Sequence, residues 1–190
     1  MRERMRSALA DAARGLDEFS SDPATLDAME AAVLAIASAF KRRGRVFACG
    51  NGGSMCDAMH FAEEFSGRFD EDRDPYPAIA LSDPAHLSCV ANDFGYDHVF
   101  SRQIDALGHP GDVLILLSTS GNSPNIVKAA EAAKTRGLIV IGCLGKGGGA
   151  ARALCDIVLH APGARSDRIQ ELHMLALHAV IEAVERELGH

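Results

Sequence analysis

Residues 111–124 read GDVLILLSTSGNSP, and they decide the fold. The segment Asp112–Leu117 is continuously apolar after its first residue, as a strand is when a parallel sheet buries both of its faces. A run of Ser, Thr, Gly and Asn follows it, and Pro124 then suits the first turn of a helix that we expect to end at Arg136, before Gly137. The stretch therefore predicts a buried strand, a polar loop and a helix in succession.

The same succession occurs earlier in the chain. Arg45–Cys49 (RVFAC) is a short buried-strand candidate that runs into GNGGS at 50–54, and a helical pattern follows from Met55 to Gly67. Strands that alternate with helices predict a parallel sheet with helices on both faces. The other expected strands are Tyr76–Leu81, Leu138–Leu144 and Ile157–His160. The other expected helices are Met5–Phe19, a helix from Pro23 to the basic turn before Gly44, Ala85–Asn92, Asp97–Leu107 and Asp167–Leu188. Asp167 is the expected N-cap of the last helix.

Two helices precede the first strand, and no linker or low-complexity tail interrupts the chain. We therefore expect one α/β domain over residues 1–190. It consists of an N-terminal helical pair at 1–44 and an α/β core at 45–190.

Composition argues against several classes of protein. The 190 residues carry 19 Lys and Arg against 26 Asp and Glu, a formal net charge of −7, so no nucleic acid and no anionic membrane is expected as a partner. Five cysteines without a CxxC pair fit neither a disulfide framework nor an all-cysteine zinc site, which favours reduced thiols in the cytoplasm. The chain has no apolar stretch of about 18 residues and no signal-peptide core, so no membrane span is expected.

The two polar loops predict a phosphate site. In a parallel sheet both loops lie at the carboxyl ends of their strands and lead into helix N-termini, where backbone N–H groups and small hydroxyls bind phosphate. Either loop alone could equally be a tight turn with helix-capping residues, but two in one short chain favour a phosphorylated small molecule. Neither is GxxxxGK[ST] or GxGxxG, and the GKGGG run at 145–149 has no Ser or Thr after its lysine. In the second loop, the hydroxyl groups that could bind phosphate are those of Ser118, Thr119, Ser120 and Ser123.

Titratable residues on two helices are candidates for metal binding or acid–base chemistry. His60 and Glu64 are four residues apart and share one helix face, with Glu63 as a competitor for Glu64. In the last helix, eight residues separate Gln170 from His178, which is about 12 Å along the axis and roughly 80° around it. The residues themselves therefore favour His60, Glu64 and His178 over Gln170 as one group. A histidine among apolar residues in such a helix, as His173 and His178 are, is also commonly a core residue.

Four segments together resemble the phosphoheptose isomerase family of sugar isomerase (SIS) domain proteins. They are CGNGGSMCDAMHFAEEFSGRF (Cys49–Phe69), NDFGY (Asn92–Tyr96), STSGNS (Ser118–Ser123) and RIQELHMLALH (Arg168–His178). STSGNS alone would indicate only a SIS domain. The resemblance covers essentially the whole chain, including the two leading helices.

The resemblance implies a fold and an activity. The fold would be a single SIS domain with a flavodoxin-like, five-stranded parallel sheet flanked by helices, assembled as a cytoplasmic homotetramer with active sites at subunit interfaces. The activity would be the aldose–ketose isomerisation of sedoheptulose 7-phosphate to D-glycero-D-manno-heptose 7-phosphate. That reaction is the first step toward the ADP- or GDP-heptose precursors of lipopolysaccharide core or surface glycans.

The resemblance also implies roles for particular residues. Glu64 would be the catalytic base and His178 the acid, because a proton moves between C1 and C2 through an enediol. One Zn²⁺ per subunit would be bound by His60, Glu64, Gln170 and His178. Substrate contacts would come from Asn51, Gly52, Gly53, Glu64, Asn92, Asp93, Ser118, Thr119, Ser120, Ser123 and Gln170, with Ser54 and Arg68 as further contacts.

Three alternatives remain at this point. A non-enzymatic SIS paralogue binds the bacterial replication initiator and shares similar segments, but it lacks the acid–base pair that Glu64 and His178 supply here. Other SIS isomerases or etherases act on pentose or hexosamine phosphates, usually within longer chains. A soluble α/β module that binds a phosphosugar and has a regulatory role is the third.

Overall fold

The computed structural model describes residues 1–190, and its elements alternate between helix and strand after two leading helices. The order is α1 (Arg2–Ser21), α2 (Pro23–Lys41), β1 (Val46–Gly50), α3 (Gly53–Ser66), β2 (Ala78–Ala80), α4 (Pro84–Phe94), α5 (Ser101–Leu107), β3 (Val113–Ser118), α6 (Pro124–Arg136), β4 (Ile139–Leu144), β5 (Ile157–His160) and α7 (Ser166–Leu188). Short 3-10 turns cover Tyr96–His98 and Ala150–Leu154.

The five strands form one parallel sheet in the order β2-β1-β3-β4-β5. Val113 in β3 lies opposite Val46 on one side and Ile139 on the other. The chain winds outward from β1 to β2 and then returns across β1 to β3, so the strand order reverses between β1 and β3. At such a switch point the loops that follow the two strands diverge and leave a crevice for a ligand.

Strand β3 is buried on both faces, which explains its unbroken apolar sequence. Its residues alternate between two core layers, since successive side chains of a strand point to opposite faces. Val113, Ile115 and Leu117 pack in a layer with residues of α2, α3 and α7. Leu114 and Leu116 pack in a layer with residues of α4, α5 and α6.

Helix α2 is long and apolar enough, by length and composition only, to cross a membrane. Its Ala32, Ile36 and Phe40 are buried in the core layer that α7 shares, which accounts for much of that apolar character. One face of this helix therefore belongs to the core of the fold.

Three details differ from the expectation drawn from the sequence. The strand expected over Tyr76–Leu81 is reduced to Ala78–Ala80 at the sheet edge, where Pro75 and Pro77 offer no N–H for pairing. The helix expected over Asp97–Leu107 is a 3-10 turn followed by α5. The chain bends between them so that two apolar side chains, Val99 and Phe100, become fully buried.

The third difference is the start of α7, where Asp167 as N-cap is wrong. The helix begins at Ser166, with Arg165 in the cap position. Asp167 lies in the first turn, where a carboxylate is favourable beside the positive end of the helix. Its Oδ2 accepts a hydrogen bond of 2.7 Å from Nη2 of Arg165, which lowers the pKa of the Asp167 carboxyl.

Candidate active site

The loop after β1 is shaped by close backbone contacts. A Cβ on Gly50 would lie 2.5 Å from the Ser54 carbonyl oxygen, so this position has no room for a side chain. Gly52 adopts φ +55°, which disfavours other residues, and it stands at the N-cap of α3 without a side-chain cap. The start of α3 is therefore available to a phosphate group.

The loop after β3 has an internal hydrogen-bond frame. Ser118 Oγ accepts a bond of 3.0 Å from the Gly121 N–H, and Ser120 Oγ accepts one of 3.2 Å from the Asn122 N–H. Thr119 Oγ1 lies 3.2 Å from Ser166 Oγ at the start of α7. Ser123 is the N-cap of α6 but makes no side-chain cap bond, so its hydroxyl is not used for capping.

The GKGGG run supports this second loop from outside. A Cβ on Gly121 would lie 1.8 Å from the Gly148 carbonyl oxygen, and Gly121 itself adopts φ +65°. Asn122 Oδ1 accepts a 3.0 Å bond from the Ala150 N–H. The glycine-rich run is therefore a brace for the Ser-rich loop, which gives it a structural role.

A cavity of about 140 Å³ lies between the two loops. It brings together most of the residues expected to bind substrate, and it adds Ser166, which the sequence did not single out. The lining residues are Asn51, Ser54, Leu117, Ser118, Thr119, Ser120, Ser123, Ser166 and Gln170. Hydroxyl and amide groups dominate this wall, as a phosphate site requires.

A reciprocal amide pair joins the two loops. Asn51 Nδ2 donates to Asn125 Oδ1 at 2.9 Å, and Asn125 Nδ2 donates to Asn51 Oδ1 at 2.8 Å. The Tyr96 hydroxyl also donates to Asn51 Oδ1, at 3.2 Å. The side chain of Asn51 thus holds the cavity wall together. Asn125 and Tyr96 were not assigned a role from the sequence, although Tyr96 belongs to the NDFGY segment.

Six expected contacts do not line the cavity: Glu64, which belongs to the histidine cluster described below, and five residues at its mouth or outside it. Asn92 and Asp93 are exposed at the end of α4, where Asn92 Nδ2 donates to Asp93 Oδ1 at 2.7 Å. Arg68 is exposed in the connection after α3. Gly52 and Gly53 lie at the mouth of the first loop, exposed, with the Gln170 side chain against Gly53.

His60, Glu64 and His178 form one cluster, in which the possible ligand atoms all lie within 4.8 Å of one another. His60 Nε2 is 3.0 Å from Glu64 Oε1, and the His60 and His178 ring centroids are 4.9 Å apart. Glu64 is 14% exposed, whereas Glu63 is 65% exposed and 4.0 Å from His60. The structure therefore favours Glu64 over Glu63. Two imidazoles and one carboxylate are a ligand set of catalytic zinc sites.

Gln170 contacts the phosphate-loop side of the site. Its Nε2 donates to Ser54 Oγ at 3.3 Å. A Cβ on Gly53 would lie 2.8 Å from the same Gln170 nitrogen. Because Gln170 is beside Gly53 and His178 is beside His60, α3 and α7 run alongside each other in the same direction. Seven to eight residues of helix, about 10–12 Å, therefore separate the cavity from the cluster.

Asp57 is a further polar residue between the cavity and the cluster. It lies on α3 one turn before His60, and its Oδ2 is buried without a hydrogen-bond partner. Burial raises the pKa of the Asp57 carboxyl, an effect that His60 opposes. No local sequence pattern marks it, since an aspartate in an amphipathic helix is usually solvated.

His173 is a core residue, as a histidine among apolar neighbours commonly is. It is 2% exposed, and neither ring nitrogen has a hydrogen-bond partner. Burial, with a smaller contribution from His160, lowers the pKa of His173 to about 4. The imidazole is therefore neutral in the folded protein at neutral pH.

We expect His173 to make the fold acid-sensitive. An unfolded histidine binds a proton near pH 6.5, but the folded one does so only near pH 4, so stability should fall as the pH drops between these values and level off below them. The loss should be roughly 3 kcal/mol. Urea unfolding of the wild type and of His173→Met across this range measures it. Parallel pH curves for the two proteins would contradict the expectation.

Comparisons with known proteins agree with this architecture. A family model described as the SIS domain matches residues 10–145. The phosphoheptose isomerases of Pectobacterium atrosepticum and Vibrio cholerae are each 53% identical over 186 residues, covering 97% of this chain and 96% and 97% of theirs.

Solved structures agree as well. A phosphoheptose isomerase from Neisseria gonorrhoeae superposes with a TM-score of 0.91 at 38% identity, covering 97% of this chain and 98% of that one. One from Francisella tularensis gives 0.92 at 33% identity, covering 97% of both chains. The expected single SIS domain with a five-stranded parallel sheet is confirmed. The chain therefore belongs to the phosphoheptose isomerase family of SIS-domain proteins.

Proposed function

We propose that this protein is an aldose–ketose isomerase that converts sedoheptulose 7-phosphate to D-glycero-D-manno-heptose 7-phosphate. Two relatives that are 53% identical to this chain over nearly its whole length are named for that activity. The observation that supports it best is the position of the Ser-rich cavity and the His60, Glu64 and His178 cluster along one helix pair. The product would supply heptose precursors for lipopolysaccharide core or surface glycans.

The spacing of the two parts suits a seven-carbon substrate. An extended chain of seven carbons with a terminal phosphate spans roughly 9–10 Å, at about 1.25 Å of advance per bond. The distance between cavity and cluster along the helices is about 10–12 Å. A phosphate on C7 held by Ser118, Ser120 and the start of α3 would therefore place C1 and C2 near Glu64 and His178.

The chain's own residues then carry the proton transfers. Glu64 removes one proton from C1 of the ketose while His178 donates a proton to the O2 carbonyl oxygen, which gives the enediol. Glu64 returns the proton to C2 and His178 takes the proton from O1, which leaves the C1 aldehyde. Each group ends in its starting protonation state, so the cycle is balanced.

The cluster fits a metal ion, which we propose to be one Zn²⁺ per subunit. His60, Glu64 and His178 already lie within reach of one another, whereas Gln170, the proposed fourth ligand, contacts Ser54 Oγ and would have to turn toward the cluster to bind the ion. When bound, zinc would polarise the substrate oxygens and stabilise their developing negative charge. A metal-bound carboxylate is a weaker base. Glu64 would therefore bind zinc through one oxygen atom and take the proton with the other, or alternate between zinc binding and proton transfer.

Proton NMR in D₂O tests the reaction and its metal dependence together. We expect purified protein to convert sedoheptulose 7-phosphate into an aldose with new anomeric signals, with deuterium entering at C2. Prior treatment with a chelator should lower the rate at least about tenfold, and added Zn²⁺ should restore it. An unchanged spectrum with folded, zinc-loaded protein would contradict the activity and favour a partner-binding SIS protein or another phosphosugar.

We also propose a cytoplasmic homotetramer with active sites at subunit interfaces. Apolar side chains are exposed on the outer faces of α2, α3 and α7, and a groove of about 610 Å³ lies between α2 and α7. Asn92, Asp93 and Arg68, which lie outside the cavity of their own chain, would then be available to a neighbouring site. All five cysteines are free, in keeping with a reducing compartment. Sedimentation velocity on the NMR sample measures the assembly.

A further inference from the structure

The connection between α3 and β2 contains an arginine whose side chain is completely buried. The side chain of Arg73 is 0% exposed, although the residues on either side of it, Asp72 and Asp74, are exposed. Arginine is among the residues least often buried, because its charge must be paired and its donors must be used. A buried arginine in an irregular connection therefore indicates a specific task.

Arg73 caps the end of α3. Its Nη2 donates to the Glu64 carbonyl oxygen and its Nη1 to the Phe65 carbonyl oxygen, both at 2.9 Å. These two carbonyls belong to the last turn of the helix, where carbonyl groups have no partner within the helix and the dipole favours a cation. The guanidinium also lies 4.9 Å from the centre of the Tyr76 ring.

The same guanidinium binds the last helix. Arg73 Nε is 2.6 Å from Glu185 Oε1, and the Glu185 side chain is 5% exposed. Glu185 follows His178 by seven residues, two turns of α7, so both side chains project from nearly the same face. One side chain thus ties the backbone of Glu64 to the helix that carries His178.

We propose that Arg73 is a positioning residue that fixes α3 against α7 and so holds His60 and Glu64 at binding distance from His178. Without it, apolar packing and the 3.3 Å bond from Gln170 to Ser54 at the other end of α3 would set how far one helix slides along the other. A shift of one ångström would disturb the 4.9 Å contact of the two imidazoles. The inference rests on the metal site of the proposed function, but it also predicts that Arg73 maintains the contact between the His60 and His178 rings in the metal-free protein.

The test removes the pair without leaving a buried charge. Arg73→Met combined with Glu185→Leu replaces both partners by apolar side chains, which buried ion pairs commonly tolerate. Arg73→Lys is the conservative variant, since lysine keeps the charge but cannot bond two carbonyls and a carboxylate in one plane. Arg186→Met is the matched control. Arg186 also joins α7 to this connection, at 3.7 Å from Asp70, but that pair is about 60% exposed.

Two measurements report on position. In metal-free protein with ¹³C-labelled histidine, the nuclear Overhauser effect between the His60 and His178 rings should be lost in the double variant and weakened in Arg73→Lys. Zinc affinity, measured against a chromophoric chelator, should fall 10–100-fold in the double variant. The control should keep the ring contact and bind zinc within about twofold of wild type.

The outcomes distinguish the positioning role of Arg73 from the zinc binding of the proposed function. A folded double variant that keeps both the ring contact and wild-type zinc affinity would overturn the proposal. Wild-type protein that binds no zinc would remove the metal from the proposed function, while the ring contact would still decide the role of Arg73. If the double variant does not fold, the ring contact and zinc affinity of Arg73→Lys decide: unchanged values overturn the proposal and reduced values support it.

Discussion

Replacing Glu64 by glutamine is expected to lower kcat for isomerisation by about 10²–10⁴-fold, the range that a positioned general base contributes. The amide has nearly the shape of the carboxylate and can keep the 3.0 Å contact with His60, so the helix should remain intact. The Ser-rich cavity is untouched, and KM should therefore change much less than kcat. Rates of aldose formation and of deuterium exchange at C1 measure the loss.

Glu63→Gln is the matched control, because it makes the same chemical change one residue earlier. Glu63 is 65% exposed and 4.0 Å from His60, so its removal should alter kcat by less than about threefold. A large loss in Glu63→Gln with activity kept in Glu64→Gln would show that the base has been assigned to the wrong carboxylate.

Gly121→Ala is expected to disrupt the Ser-rich loop and lower the stability of the protein. The new Cβ would meet the Gly148 carbonyl oxygen at 1.8 Å, so one of two backbone segments must move. The positive φ costs roughly 1–2 kcal/mol and the overpacking about 1–3 kcal/mol. The melting temperature should fall by roughly 5–15 °C. Inorganic phosphate binding should weaken as well, because the Ser118 hydroxyl loses its 3.0 Å bond with the Gly121 N–H.

Gly147→Ala separates the two causes of this loss. Gly147 also has a positive φ, +84°, but a Cβ there would meet nothing within 4 Å. This variant should show only the backbone strain, about 1–2 kcal/mol, with phosphate binding retained. Equal losses in the two variants would mean that the contact between Gly121 and Gly148 does not limit the fold.

Much of the fold could be predicted because the two faces of β3 are both buried. An unbroken apolar run between Gly111 and a polar loop is typical of a central strand in a parallel sheet, and parallel strands then place their loops at one edge. The details that failed depend on competition among neighbours. Asp167 would suit an N-cap, but Arg165 binds its carboxylate inside the first turn. Tyr76–Leu81 reads as a strand, but two prolines shorten it at the sheet edge.

The candidate site was predicted unevenly for a similar reason. The spacing of His60 and Glu64 is a property of one helix, so the sequence displays it directly. Asn125, Ser166 and Arg73 each have a partner that is 47 to 112 residues away in the chain. No local pattern marks such residues, since a buried arginine and a solvated one look alike until the fold brings them to their partners.

The amide pair of Asn51 and Asn125 has a consequence for how this sequence can evolve. Each side chain is at once donor and acceptor to the other, so a change at either position leaves a polar group without its partner at a part-buried site. Drift at one position alone should be selected against, whereas paired replacements that restore both bonds should survive. Positions 51 and 125 should therefore vary together among descendants of this gene, although 74 residues lie between them.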